Sequence, residues 1–209
     1  MNKYEFELHD CACNQDLNML EQLCDLLLND PRTKNKVFFS SFAKIIDMDY
    51  KLLTKMKQVG FKNLKFGLES GSDKVLKLMY KPHSVEKAKI VIKNTWLVGI
   101  EAVVMVIVGF PGETEKDFDE TIKFVEDNFK YITEIHLNLY CMNEVLINNF
   151  SSIIDMDNKD IYKWNLKDMS NTYEIRKKRL IKIDKALMSK FKNIKREGMC
   201  YTNIDNKKV

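Results

Sequence analysis

Apolar and polar positions follow two periods along this chain. In Tyr4-Glu5-Phe6-Glu7-Leu8 they alternate with period two, the pattern of a strand. Leu17, Leu20, Cys24 and Leu27 then recur at helical spacing, up to a stop at Asp30-Pro31. Val37-Phe38-Phe39 reads as a short apolar strand. Leu52, Leu53, Met56 and Val59 mark a second helix with Gly60 as its stop, and Leu64-Lys65-Phe66-Gly67-Leu68 is a third strand. A short helix through Val75, Leu76 and Met79 runs to Pro82, and a longer one through Val85, Ala88, Ile92 and Thr95 runs to Gly99. Ala102 to Val108 is apolar and nearly all β-branched, as in a strand buried on both faces. Phe118, Ile122, Val125 and Phe129 share one helical face, and Ile132 to Tyr140 is a fifth strand.

Strands that alternate with helical crossovers imply an α/β fold with a parallel sheet. In such folds the chemistry gathers where strands end, which singles out Asp10, Ser40, Glu69, Gly109 to Glu113, and Tyr140. Beyond Cys141 the pattern loosens. Leu180, Ile183, Leu187, Phe191 and Ile194 then predict one long basic helix. The expected organisation is therefore a β/α region over 1–142 and a C-terminal helical extension over 143–209.

Composition narrows the class. Of the 209 residues, 45% are hydrophobic and 31% charged, ordinary values for a globular domain. No window approaches ~18 uninterrupted apolar residues, so no membrane span is expected. The charged start lacks the apolar core of a signal peptide, and the cytoplasm is the expected location. The net charge is +4, but Asn171 to Val209 carries twelve Lys/Arg against four Asp/Glu. A basic helix of this kind can meet RNA phosphates; the favoured reading is a solvated face with its apolar side on the fold.

Five cysteines, Cys11, Cys13, Cys24, Cys141 and Cys200, are too irregular for a disulfide framework. Cys11 and Cys13 form a lone CxC, too few thiols for a tetrahedral metal site. His9, His83 and His136 share no ligand spacing, and no metal site is assigned.

Two stretches carry more. In Gly109-Phe110-Pro111-Gly112-Glu113-Thr114, Pro111 and Gly112 suit the centre of a type II turn. Thr114 can cap the next helix, with Asp117 as its capping-box partner. The turn is either purely structural or a cradle for a polar ligand at a helix start. In Phe66-Gly67-Leu68-Glu69-Ser70-Gly71-Ser72, Glu69 ends a strand as an acceptor suited to a ribose diol, while Ser70 or Ser72 can cap a helix.

Together these stretches resemble a known family. The run from Phe66 to Lys81, then Gly99-Ile100, then Val108 to Phe118 is similar to the core of radical S-adenosylmethionine (SAM) enzymes, in particular those linked to a cobalamin-binding domain and related to tRNA methylthiotransferases. The helix Leu20 to Leu27 and the stretch from Trp164 to Arg179 resemble further family segments. The resemblance implies a partial parallel (β/α) barrel with about five strands here, plus the C-terminal helical extension. It implies SAM as ligand, a 4Fe–4S cluster, and radical or methyl-transfer chemistry, with cobalamin in full-length relatives. By the same resemblance Glu69, Ser70 and Gly71 lie near the SAM ribose, Gly109, Phe110, Pro111 and Gly112 line the adenine side, and Asp10 faces the methionine end.

The departures are as informative. The family's CxxxCxxC, which supplies three thiolates to the cluster, is nowhere in this sequence. Tyr140-Cys141-Met142-Asn143-Glu144 replaces the family's usual Pro-Gly-Thr turn after the last strand. The chain is therefore expected to be a radical SAM enzyme piece without its first β–α unit, inactive alone, with its cluster loop on a separate chain or a missing N-terminal segment. The alternative is a non-catalytic barrel remnant, or a partner subunit completing another chain's site. An unrelated α/β barrel enzyme using Glu69 and Glu113 as acid and base ranks last.

Overall fold

The structure, a computed structural model, describes residues 3–9, 12–33, 36–142, 146–147, 151–156, 160–191 and 194–197. Strands and helices alternate as the periods predict: β1 (Tyr4–Leu8), α1 (Leu17–Asn29), β2 (Val37–Ala43), α2 (Tyr50–Val59), β3 (Phe61–Glu69), α3 (Asp73–Leu78), α4 (Val85–Leu97), β4 (Glu101–Val108), α5 (Glu115–Asn128) and β5 (Glu134–Leu139). A short 3₁₀ turn, Phe129–Tyr131, leads into β5.

Local chemistry sets the boundaries. Asp16 accepts from the Asn18 and Met19 N–H groups to cap α1, Asp49 caps α2 through Leu52 N–H, and Ser84 caps α4 through Lys87 N–H. Gly60 ends α2 with φ +108°, and a Cβ there would lie 2.1 Å from the Val37 carbonyl oxygen, so only glycine fits.

Six strands form one parallel sheet in the order β1-β2-β3-β4-β5-β8. Five are the strands read from the periods; the sixth is β8 (Ile194–Glu197), parallel to β5 with Ile194 opposite Ile135. This corrects the long basic helix. That helix, here α6, spans Tyr173–Leu187 and stops, and Ile194 opens a strand instead. The spacing of Leu187, Phe191 and Ile194 suits a helix, but β5 offers backbone groups that a strand can satisfy. β1 forms the other edge of the sheet and is exposed over Tyr4 to Glu7.

After β5 the loose pattern resolves into a small antiparallel pair, β6 (Ile154–Met156) with β7 (Trp164–Leu166). Met142, Ile154, Trp164 and Leu166 form its buried core.

The chain divides into two compact units that do not follow chain order. One comprises residues 1–68, 83–105 and 128–134. Its core includes Cys24, Leu53, Met56, Phe61, Leu64, Phe66 and Ile92, all at most 1% exposed. The other comprises 69–82, 106–127 and 135–209, and holds the carboxyl ends of β4 and β5 together with β6, β7 and α6. No helix among the described residues is long and apolar enough to cross a membrane.

Candidate functional site

The second unit holds the turn after β4. Gly109 has φ +87° and Gly112 φ +90°. Glu113 N–H donates to the Phe110 carbonyl at 2.9 Å across Pro111-Gly112, as the type II reading requires. Thr114 N–H donates to Asp117 Oδ2 at 2.9 Å, and Asp117 N–H donates back to Thr114 Oγ1 at 3.3 Å, so the capping box is complete.

The turn is held from beneath by Glu113, at the strand end, and by three residues that do not follow any strand of the sheet read from the sequence, Asn171, Arg176 and Arg179. Glu113 folds back so that its Oε2 accepts from Gly109 N–H at 2.8 Å and from Arg179 at 3.1 Å. Asn171 Nδ2 donates to the carbonyls of both Gly109 and Phe110, at 3.1 Å each. Arg176, fully buried, donates to the Tyr162, Trp164 and Asn171 carbonyls. A signal for these arginines exists in the sequence: Arg176 and Arg179 share a helical face with Leu180, Ile183 and Leu187. Their charges are therefore spent inside the fold.

Charge in this layer follows burial. Burial pushes the Glu113 carboxyl up to about 7, against the pull of Arg179 and of Gly109 N–H. With its side chain 1% exposed, Glu113 is placed to hold the turn. At Asp117 burial works upward too, but bonds from Lys74, Thr114 and Ser72 win and hold it below the usual carboxylate range.

The segment after β3 is equally well anchored. Ser70 is buried; its Oγ lies 3.1 Å from Thr121 Oγ1 and accepts from Ser72 N–H at 3.1 Å. Gly71 N–H donates to Thr121 Oγ1, and a Cβ at Gly71 would sit 2.6 Å from Thr121 Cα. Ser70 and Gly71 thus dock this segment on α5. Glu69 takes φ +63° and pairs with Lys81, Nζ to Oε1 2.7 Å. A carboxylate in that pair retains capacity for further donors.

Beside these elements lies a cavity of about 420 Å³. Phe110 and Tyr140 form one wall, their rings 4.9 Å apart edge to face. Ile107, Leu146 and the α3 end from Leu78 to Lys81 complete it. Tyr140 is fixed from behind: its carbonyl accepts from Trp164 Nε1 at 3.1 Å, and burial raises the phenol above its ordinary range. The volume lies in the range of small-molecule pockets, and the lining suits a flat apolar ring. Of the residues read from the sequence, the structure brings Phe110 and Tyr140 together here, with Glu69 linked through Lys81. The Pro111 side of the turn is buried and Gly112 is exposed.

Ser40 belongs to the first unit. It donates to Asn63 Oδ1 and lines a separate cavity of about 320 Å³ beside Glu5, Glu7 and Lys62. Asp10 and Cys11 lie outside the described residues. Burial raises the Cys13 thiol, and burial with Asp25 pushes Cys24 up to about 11. Among the described residues no three His, Cys, Asp or Glu side chains gather as a metal needs.

In sequence, the chain is similar to tRNA-2-methylthio-N(6)-dimethylallyladenosine synthases. It is 43% identical to that of Pseudomonas savastanoi pv. phaseolicola over 68 residues, 32% of this chain and 15% of that protein. It is 30% identical to that of Thermosipho africanus over 121 residues, 56% and 28% respectively. The chain thus matches less than a third of the length of these curated relatives. In structure, it is similar to the radical SAM methyltransferase TsrM from Kitasatospora setae, solved with cobalamin and a [4Fe-4S] cluster bound (TM-score 0.62, 13% identity, 75% of this chain and 33% of that one). It is also similar to the radical SAM enzyme HemN, coproporphyrinogen III oxidase of Escherichia coli (TM-score 0.56, 14% identity, 90% and 52%). These likenesses show the fold, a partial parallel (β/α) barrel of radical SAM type. The family model of the radical SAM superfamily matches residues 15–125, which run from the start of α1 into α5 and include both strand-end turns, and the chain belongs to that superfamily.

Proposed function

We propose that this chain binds the adenosyl part of SAM at the strand ends of its second unit and does not by itself generate a radical. The observation that carries the reading is the cavity walled by Phe110 and Tyr140, with Lys81 on its rim tied to Glu69. A flat base fits the ring-lined space, and a ribose diol can donate to the Glu69 carboxylate. Gly109 to Gly112 keep Phe110 in place, and Ser70 and Gly71 fix the backbone that aims Glu69.

A bound SAM cluster complex would supply radical or methyl-transfer chemistry in this family. The residues here do not fit the cluster: CxxxCxxC is absent, and burial raises the pKa of the Cys13 and Cys24 thiols. The cluster ligands would then come from another chain or from a segment outside this sequence. Cobalamin belongs to the same outside machinery.

The test is calorimetric titration with S-adenosylhomocysteine, which needs no iron. Removing a charged hydrogen-bond acceptor costs about 1.5–3 kcal/mol, so Glu69→Ala should bind roughly tenfold to a hundredfold more weakly. Glu86→Ala, on the exposed face of α4, should bind as the unaltered protein does. Methylthioadenosine should bind about as well as SAM, because the methionine end lacks an iron anchor. Equal titrations for the two variants would show that Glu69 meets no ligand.

A further inference from the structure

Two helices of this chain end in the same hydrogen-bonded turn, but with different residues at its left-handed position. After α4, Gly99 N–H donates to the Trp96 carbonyl and Ile100 N–H to the Thr95 carbonyl, with Gly99 at φ +83°. After α3, Tyr80 N–H donates to the Lys77 carbonyl and Lys81 N–H to the Leu76 carbonyl, with Tyr80 at φ +54°. Both are the Schellman closure, whose left-handed residue is normally glycine because a Cβ there crowds the following carbonyl. α2 also ends on a left-handed glycine, Gly60. Tyrosine at position 80 therefore works against the backbone.

Packing gives no compensation. Tyr80 is 94% exposed, so its ring buries almost nothing. Yet it borders the cavity walled by Phe110 and Tyr140, and its neighbour Lys81 is held by Glu69 at 2.7 Å. Glu69 is itself a non-glycine residue at positive φ. Two such residues thus flank α3, Tyr80 on the cavity lining and Glu69 joined to that lining through Lys81, and strained residues of this kind gather at ligand clamps. An exposed ring at the rim of an apolar, ring-lined cavity lacks one thing, a flat partner.

We infer that Tyr80 is a ligand-binding residue that stacks on the open face of a purine ring seated in the cavity. The inference rests on the adenosyl reading above and adds to it the residue that covers the base. The left-handed turn carries the ring outward to the rim, and the Glu69–Lys81 pair sets where the turn stands.

The experiment uses the full chain and S-adenosylhomocysteine, with three variants: Tyr80→Gly, Tyr80→Asn and Tyr80→Phe. Glycine and asparagine accept the left-handed turn without an aromatic ring, and phenylalanine keeps the ring alone. Without ligand, the glycine variant should melt at the same temperature as the unaltered protein or higher. With ligand, the glycine and asparagine variants should bind roughly fivefold to a hundredfold more weakly, the range of base–aromatic stacking, while the phenylalanine variant stays within about twofold. Equal affinity for all four proteins would overturn the role of Tyr80 and leave the adenosyl site standing. A lower melting temperature for Tyr80→Gly would show that the tyrosine supports the turn itself, and would overturn it too. Absence of binding by the unaltered protein would remove the adenosyl reading and this inference together.

Discussion

The guanidinium of Arg176 sits over the indole of Trp164, with Cζ 3.6 Å from the ring centroid. The stem of the same arginine runs through the space that a side chain at position 109 would occupy. A Cβ on Gly109 would stand 2.1 Å from Arg176 Cδ and 2.2 Å from its Cγ. The turn after β4 and the C-terminal segment of the second unit are thereby one packed layer.

Gly109→Ala should therefore destabilise the protein twice, through a left-handed φ and through overpacking, by about 2–4 kcal/mol together. Urea denaturation measures this. Because the clash is with the arginine stem, the double variant Gly109→Ala/Arg176→Ala should lose less than the sum of its single changes. A Gly109→Ala protein as stable as the original would contradict the packing.

The ion pair below the turn makes a second prediction. Arg179 is 4% exposed and pairs with Glu113 inside the protein and with Glu115 at its edge. Arg179→Ala leaves a buried carboxylate without its cation and should cost about 3–5 kcal/mol. Lys182, one turn on, pairs with Asp119 on the surface, and Lys182→Ala should change stability little. Chemical denaturation of the two variants side by side would expose the contrast, and similar losses would refute it.

Stability should depend on pH in two opposite senses. Glu113 has a carboxyl raised from 4.5 to about 7 by burial, so the folded state binds more protons between those values. Its contribution therefore falls as pH rises through that window. Asp117 is held below its ordinary 3.8, so its contribution is present above that value and is lost as pH falls below it. Denaturation midpoints should decline from about pH 5 to about pH 8, and Glu113→Gln should flatten that decline. An unchanged slope in the variant would mean that Glu113 ionises freely in the fold.

Iron provides the fourth prediction. Cys24 is a buried thiol and Cys13 a half-buried one, both with raised pKa values, and no CxxxCxxC is present. Anaerobic reconstitution of this chain alone should yield less than one complete 4Fe–4S cluster per chain, measured by iron and sulfide content. A full, stable cluster lost only when Cys11 and Cys13 are replaced would reverse this account.

The element order of the sheet was legible in the sequence because each period is local. A β-branched apolar run needs no partner to declare a strand, as Ala102 to Val108 shows, and Phe118, Ile122 and Val125 declare a helix by spacing alone. The type II turn at Pro111-Gly112 and the Thr114–Asp117 capping box were legible for the same reason, since their bonds close within four residues. The chain beyond β5 was not legible in this way. Leu187, Phe191 and Ile194 fit a helical face, and only the presence of β5 alongside turns Ile194 to Glu197 into a strand. The tasks of Arg176, Arg179 and Asn171 depend on groups far away in the chain, 62 residues for Asn171 and Gly109 and 66 for Arg179 and Glu113; the two arginines therefore read from sequence as part of a basic, solvated helix, and Asn171 as no site residue at all. Sequence could place Glu69 and Phe110 at strand ends; tertiary structure alone decided that Phe110 packs on Tyr140 in one cavity wall, that Ser70 turns inward to Thr121, and that a tyrosine stands where a helix ordinarily ends in glycine.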